Sequence, residues 1–159
     1  MARKHALLSA SSAARWIACP PSARLNAEKS DTPSAYAAQG TDAHMLCEYK
    51  LRKALGERVR DPTKHLTSYD TEMEECAEAY CQFVMEQVEQ FRAESKDTMV
   101  SVEQRVDFSD FVPDGFGTAD TLIISGKTVC IVDYKHGKGI EVSAERNPQM
   151  MCYALGCIQ

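Results

Sequence analysis

The stretch that most constrains this chain runs from Gly117-Thr118-Ala119-Asp120 to Ile131-Val132-Asp133-Tyr134-Lys135. Leu122-Ile123-Ile124 and Val129-Cys130-Ile131-Val132 are short, apolar and mostly β-branched. Ser125-Gly126-Lys127 between them carries turn chemistry, so the pattern predicts a β-hairpin. A turn centred on Gly126-Lys127 sets Ser125 against Thr128 and Asp120 against Asp133. A turn at Ser125-Gly126 pairs Asp120 with Ile131, one diagonal step from Asp133. Either register leaves Asp120, Asp133 and Lys135 on one face, because strand side chains alternate with period two.

Two carboxylates opposed on one sheet face repel each other, and bare packing would not choose them. A divalent cation between them reverses the sign of that interaction. Hard oxygen donors suit Mg²⁺ or Mn²⁺, and a lysine two residues along reaches an anion or water held there. The competing reading is a solvated hairpin with exposed charges.

At 159 residues, 44% hydrophobic and 26% charged, the chain fits one soluble domain, 1–159, with a sizeable core. No apolar run approaches the roughly 20 residues of a membrane span. Met1 to Leu8 has basic residues but too short an apolar run for a signal peptide, so a cytoplasmic location is expected. The seven cysteines are odd in number, scattered and without a Cys-x-x-Cys pair. That usage points to reduced thiols rather than a disulfide framework or a zinc site.

The net charge of −5 argues against a protein that simply coats nucleic acid. Its placement is uneven. Residues 1–69 carry 11 Lys+Arg against 6 Asp+Glu, or +5; residues 70–97 carry 2 against 9, or −7; residues 98–159 carry 5 against 8, or −3. A basic N-terminal half can still form a positive groove, and carboxylates that bind metal would be neutralised. A phosphate substrate is therefore compatible with the bulk charge.

Along the chain, Ser9 to Cys19 reads as a short helix capped by serines and ended by Pro20-Pro21, with Trp16 and Ile17 as core anchors. Residues 26–34 are loop-like. From about Ser34 to Leu55 the pattern is helical, with Gly40 and His44 one turn apart. A glycine inside a helix costs about 1 kcal/mol relative to alanine, which suggests close approach to another backbone. His44 would point into that contact, with Glu48 placed to accept from its imidazole; a histidine satisfied in a helix–sheet interface is the alternative. Lys50, Arg52, Lys53, Arg58, Arg60 and Lys64 form a basic run, either a solvated face or a track for a phosphate backbone.

Asp70 to Glu94 is an amphipathic helix with Met73, Cys76, Ala77, Tyr80, Val84, Val88 and Phe91 on its apolar side. Met99 to Phe108 reads as a strand, with Glu103 either near the carboxylate pair or on a wet face. His136-Gly137-Lys138-Gly139 is a basic loop lacking the grammar of a phosphate cradle. Ile140-Glu141-Val142 suggests a further short strand. Asn147-Pro148-Gln149 opens a helix with Gln149 and Tyr153 one turn apart on one face. The apolar stretch ending at Gln159 raises two expectations: a fragment of a longer protein, or a contact with another copy.

In this order, Gly40-x-x-x-His44, Gly117-x-x-Asp120, Asp133-Tyr134-Lys135 and Gln149-x-x-x-Tyr153 resemble the RecB-like branch of the PD-(D/E)XK nuclease superfamily. Ser9-x-Ser11 with Cys19-Pro20 also looks like the N-terminal element of that branch, and the likeness spans roughly residues 9–155. It is nearest to an uncharacterised phage and prophage family of such nucleases. The resemblance implies an α/β fold, a mixed central β-sheet flanked by α-helices in a restriction-endonuclease-like core.

It implies that Asp120 and Asp133 are metal-binding acids, and that His44 and the backbone carbonyl of Tyr134 add ligands. Lys135 would orient or activate the attacking water and stabilise the charged phosphorane, while Gln149 and Tyr153 would bind substrate and support the lysine. Mg²⁺ or Mn²⁺ is the implied cofactor and DNA the implied partner, with phage recombination or replication proteins alongside in a bacterial host. Several relatives carry an iron–sulfur cluster on one early and three late cysteines. Cys19 resembles the early ligand, but Cys152 and Cys157 lack the late spacing, so no cluster is expected in this chain. Two other readings stand beside the nuclease: a DNA-binding or assembly module that keeps the fold without cutting, and a small oligomeric structural protein.

Overall fold

A computed structural model describes residues 6–27, 34–137 and 141–158. Among them lie five α-helices and three strands: α1 (Ala13–Ala18), α2 (Ser22–Ala27), α3 (Ala35–Ala54), α4 (Thr71–Glu94), β1 (Met99–Asp107), β2 (Phe116–Ser125), β3 (Thr128–Val132) and α5 (Pro148–Gly156). The strands form one antiparallel sheet in the order β1-β2-β3. Its connections explain why it is antiparallel where the sequence reading expects a mixed sheet. Residues 108–115 and Gly126-Lys127 are too short for the crossover that a parallel neighbour needs.

The hairpin register is the first of the two expected from sequence. Ser125 pairs with Thr128 and Thr121 with Val132, so continuing the register one step sets Asp120 opposite Asp133. Gly126 has φ +58°, the left-handed value a tight hairpin turn demands and glycine supplies without strain.

The chain divides into two compact units. One comprises Pro33–Glu103 and Asp120–Gly139. In it α3 and α4 pack together and against the sheet through Ala43, Leu46, Leu51, Met73, Val84, Val88, Val102 and Ile123. Each helix begins on a side-chain cap: Ser34 Oγ accepts from the Ala37 N–H at 3.2 Å, and Asp70 Oδ1 accepts from the Met73 N–H at 2.7 Å. The Tyr80 hydroxyl meets Thr121 Oγ1 at 2.7 Å in the interior, which satisfies both buried hydroxyls. Asp42, also buried, accepts from Thr67 N–H, Thr67 Oγ1–H and Ser68 N–H at 2.7–2.9 Å and pins that loop to α3. Burial alone would raise its pKa, but those bonds outweigh it and hold the carboxyl below its ordinary value.

Three sequence expectations change in this unit. A Cβ on Gly40 would meet nothing within 4 Å, so no backbone approaches it. Glu48 does not receive His44; it accepts from Arg52 Nε at 2.8 Å, the favourable i, i+4 ion pair. Part of the basic run is spent inside the unit: Lys50 bridges Glu74 and Glu78 of α4, each at 2.7 Å.

The other unit comprises Met1–Thr32, Gln104–Ala119 and Ile140–Gln159. The expected N-terminal helix is a 3₁₀ turn, Ala10–Ser12, running into α1. Trp16 Nε1–H donates to the Ser9 carbonyl at 3.0 Å, whereas Ile17 is exposed rather than an anchor. Asn26 and Ala27 close α2 instead of opening a loop. Asn147 Oδ1 caps α5 by accepting from Gln149 N–H and Met150 N–H, with Pro148 at the first helical position. One close approach is at Gly117, where a Cβ would lie 2.9 Å from both Ala10 Cβ and Tyr153 Cε1, and Gly156 is held more tightly still against the Asp107 carbonyl. Glu141 and Val142 form no strand, and Val142 is exposed; Lys138, Gly139 and Ile140 fall outside the described residues.

Candidate metal centre

The site grows from three elements of the helix–sheet unit. β2 is buried on both faces from Ala119 to Ile123, and Asp120 within it is 8% exposed. A carboxylate so placed must have its oxygens engaged. Asp120 Oδ2 accepts from the Tyr134 N–H at 2.6 Å, and Oδ1 faces His44 Nδ1 at 3.3 Å. The first contact fastens the acid to the end of the neighbouring strand. The second brings in α3, whose face carrying Ala43, Leu46, Cys47 and Leu51 is buried and so aims His44 at the sheet.

Glu103 completes a triad that sequence reasoning left undecided. Its backbone has φ +50° inside β1, a left-handed value rare for a residue with a Cβ and typical of strained functional positions. His44, Glu103 and Asp120 each present a donor atom, and these atoms lie within 4.8 Å of one another. Nothing in the residue type signals such a φ; the available hint was an acid on the strand facing the hairpin. Arg52 fixes the preceding peptide, with Nη2–H donating to the Val102 carbonyl at 2.8 Å.

Asp133 sits just past β3, its side chain 3% exposed and paired to Lys135 Nζ at 2.5 Å. Tyr134 is a hinge of rings: it stands edge-on to His44 at 5.6 Å and to Tyr80 at 5.3 Å, and its hydroxyl meets His136 Nδ1 at 3.0 Å. Its backbone N–H is the part that meets Asp120.

The electrostatics describe a cluster short of positive charge. Burial, then the charges of Asp120 and Glu48, push the Glu103 carboxyl up to about 7. Burial raises Asp133 as well, against the pull of Lys135. The hydrogen bond to Asp120 raises His44 above its ordinary value, against burial. Three carboxylates, one imidazole and one ammonium thus share the locality. The converging donor set, one oxygen each of Glu103 and Asp120 with one nitrogen of His44, suits a hard divalent cation, and Asp133 stands outside that close group, paired to Lys135.

The structure thus gathers His44, Asp120, Asp133, Tyr134 and Lys135 in one unit and adds Glu103. Gln149 and Tyr153 belong to the other unit. There Gln149 Nε2–H donates to the Tyr153 hydroxyl at 3.2 Å, and that hydroxyl donates to the Thr118 carbonyl at 2.5 Å. Tyr153 is 1% exposed, so its ring is a core anchor tying α5 to β2.

Among the described residues, no helix is long and apolar enough to cross a membrane. No solved structure matches the chain. A family model described as "Protein of unknown function (DUF2800)" matches residues 5–159. That match covers nearly the whole chain, which belongs to the DUF2800 family.

Proposed function

We propose that this chain is a Mg²⁺- or Mn²⁺-dependent deoxyribonuclease of phage-type DNA processing, acting as an exonuclease in the bacterial cytoplasm. The observation that carries the reading is the convergence of His44, Glu103 and Asp120 next to the Asp133–Lys135 pair. On this reading α3, α4 and the sheet are the central part of a restriction-endonuclease-like core. The order of motifs along the sequence supports that assignment.

Each residue then has a task. His44, Glu103 and Asp120 would hold the cation, with Asp133 and the Tyr134 carbonyl as further donors. When bound, it would polarise the phosphodiester and acidify a water near neutral pH. Lys135, whose side chain is 49% exposed, offers its ammonium to the charge that builds on the phosphoryl oxygens. The Tyr134 N–H holds Asp120 by its far oxygen, which leaves Oδ1 facing the site. The Tyr134 ring stands edge-on between those of His44 and Tyr80.

The test is cleavage of labelled single- and double-stranded DNA by the full-length natural protein with Mg²⁺ or Mn²⁺. Asp133→Ala and Lys135→Ala should abolish it with an unchanged circular dichroism spectrum, and Asp120→Asn should also lose Mn²⁺ binding. Absence of any nuclease activity with either metal would overturn the reading.

A further inference from the structure

The α4 helix carries a second stripe beside its core face. Cys76, Ala79 and Phe83 follow at steps of three and four, so they share one flank of the helix. With Tyr134, Lys135 and His136 they line an open hollow of about 370 Å³. Phe83 leaves 49% of its surface in solvent, in the middle of a helix whose Met73, Tyr80, Val84 and Val88 are buried.

A lone exposed aromatic is ordinary; four rings on one hollow, Tyr80, Phe83, Tyr134 and His136, are not. The Tyr134 and His136 rings lie 6.0 Å apart, tilted 31°, and their hydroxyl–Nδ1 contact fixes the pair. Tyr80 and His44 brace Tyr134 from its other sides, so the wall is preformed before anything binds. The size is at the low end of ligand sites, roughly 300–1,000 Å³, and suits one planar ring system. Glu72 is also in the wall, which disfavours a phosphate inside the hollow. Lys135 lines the hollow and also pairs with Asp133, so the hollow adjoins the acid cluster at that residue.

We propose that this hollow is a nucleobase subsite, which takes one unstacked base of the strand whose phosphodiester lies at the acid cluster. Phe83 supplies the stacking face and Tyr134 with His136 the opposing wall. The proposal rests on the nuclease reading and narrows its substrate to single strands or frayed duplex ends, since a base inside a duplex stack cannot enter. Aromatic platforms of this kind bind bases with little sequence preference.

The experiment uses the full chain with Ca²⁺ in place of Mg²⁺, so that strands stay intact. Short oligothymidylates carry one 2-aminopurine, moved position by position. One position should show quenching far above the others. Phe83→Ala should abolish that signal and weaken binding about 5- to 150-fold, the range set by loss of one base–aromatic stack. Phe83→Trp should restore both. An abasic residue at the mapped position should cost the wild-type chain the same factor and cost Phe83→Ala nothing. Phe83 is exposed, so these substitutions leave the fold in place, checked by circular dichroism. Uniform quenching, or unchanged affinity in Phe83→Ala with DNA still bound, overturns the subsite and leaves the nuclease reading standing. A wild-type chain that binds no DNA, single- or double-stranded, overturns both.

Discussion

Arg52 reaches from α3 to the Val102 carbonyl at 2.8 Å, one residue ahead of the left-handed backbone at Glu103. The same guanidinium donates from Nε to Glu48 and from Nη1 to Glu57, so its plane is fixed on three sides. On the proposed reading, the contact makes Arg52 a positioning residue for Glu103. Arg52→Ala should lower Mn²⁺ affinity about 10- to 100-fold, as loss of an outer-shell support does elsewhere. Titration calorimetry measures it. Arg52→Lys should recover little, because an ammonium cannot occupy three fixed directions in a plane. Glu103→Gln should lose affinity in the same direction.

The stability of the metal-free protein should fall as pH rises from 4 to 8. Glu103, Asp133 and His44 all bind protons more tightly in the folded state than their ordinary values of 4.5, 3.8 and 6.5. Each contribution is complete below the ordinary value and lost as pH climbs through the raised one, at about 7 for Glu103. Asp42 acts in the opposite sense, but only below its ordinary 3.8. Thermal melts in a pH series should show this decline. Added Mn²⁺ should flatten or reverse it, since a bound cation favours the deprotonated acids.

Two glycines should respond oppositely to alanine. Gly40→Ala adds a methyl group in open space on a helix and should stabilise by about 0.5–1 kcal/mol. Gly117→Ala drives a methyl group against Ala10 and Tyr153 and should destabilise by about 1–3 kcal/mol. Denaturant titrations of both variants decide it. A loss at Gly40 would mean that something unseen approaches α3 there.

The hairpin register itself can be tested by inserting one glycine between Gly126 and Lys127. A one-residue slip would turn Asp133 and Lys135 to the opposite face from Asp120. Mn²⁺ binding and any cleavage should be lost together, while Asp120→Asn in the parent turn should lose them without disturbing the strand pairing. Hydrogen exchange of the Thr121 and Ile123 amides reports on the pairing.

Much of this architecture was legible because it rests on local chemistry. Gly126 marked the turn and left two registers open, both with Asp120, Asp133 and Lys135 on one face; Asp70 and Asn147 announced two helix starts, and the spacing of Met73, Ala77, Val84 and Val88 gave the buried face of α4. What could not be read depends on partners far along the chain. Glu48 was equally placed for His44 or Arg52, and only the packing of α3 on the sheet chose between them. Lys50 looked like part of a basic track until Glu74 and Glu78 of α4 came within 2.7 Å. Glu103 carried no mark of its left-handed backbone, since glutamate is not a residue that prefers it.

The hairpin has a kinetic consequence as well. Asp120 and Asp133 face each other across a turn of two residues, a closure that needs only about 1–10 μs. His44 comes from 76 positions upstream of Asp120 and arrives only when α3 docks. The acid pair is therefore local in sequence, whereas the imidazole joins it only through a long-range contact. A cation captured by the nascent hairpin would wait for the helix, and its full affinity would measure how completely α3 has come home.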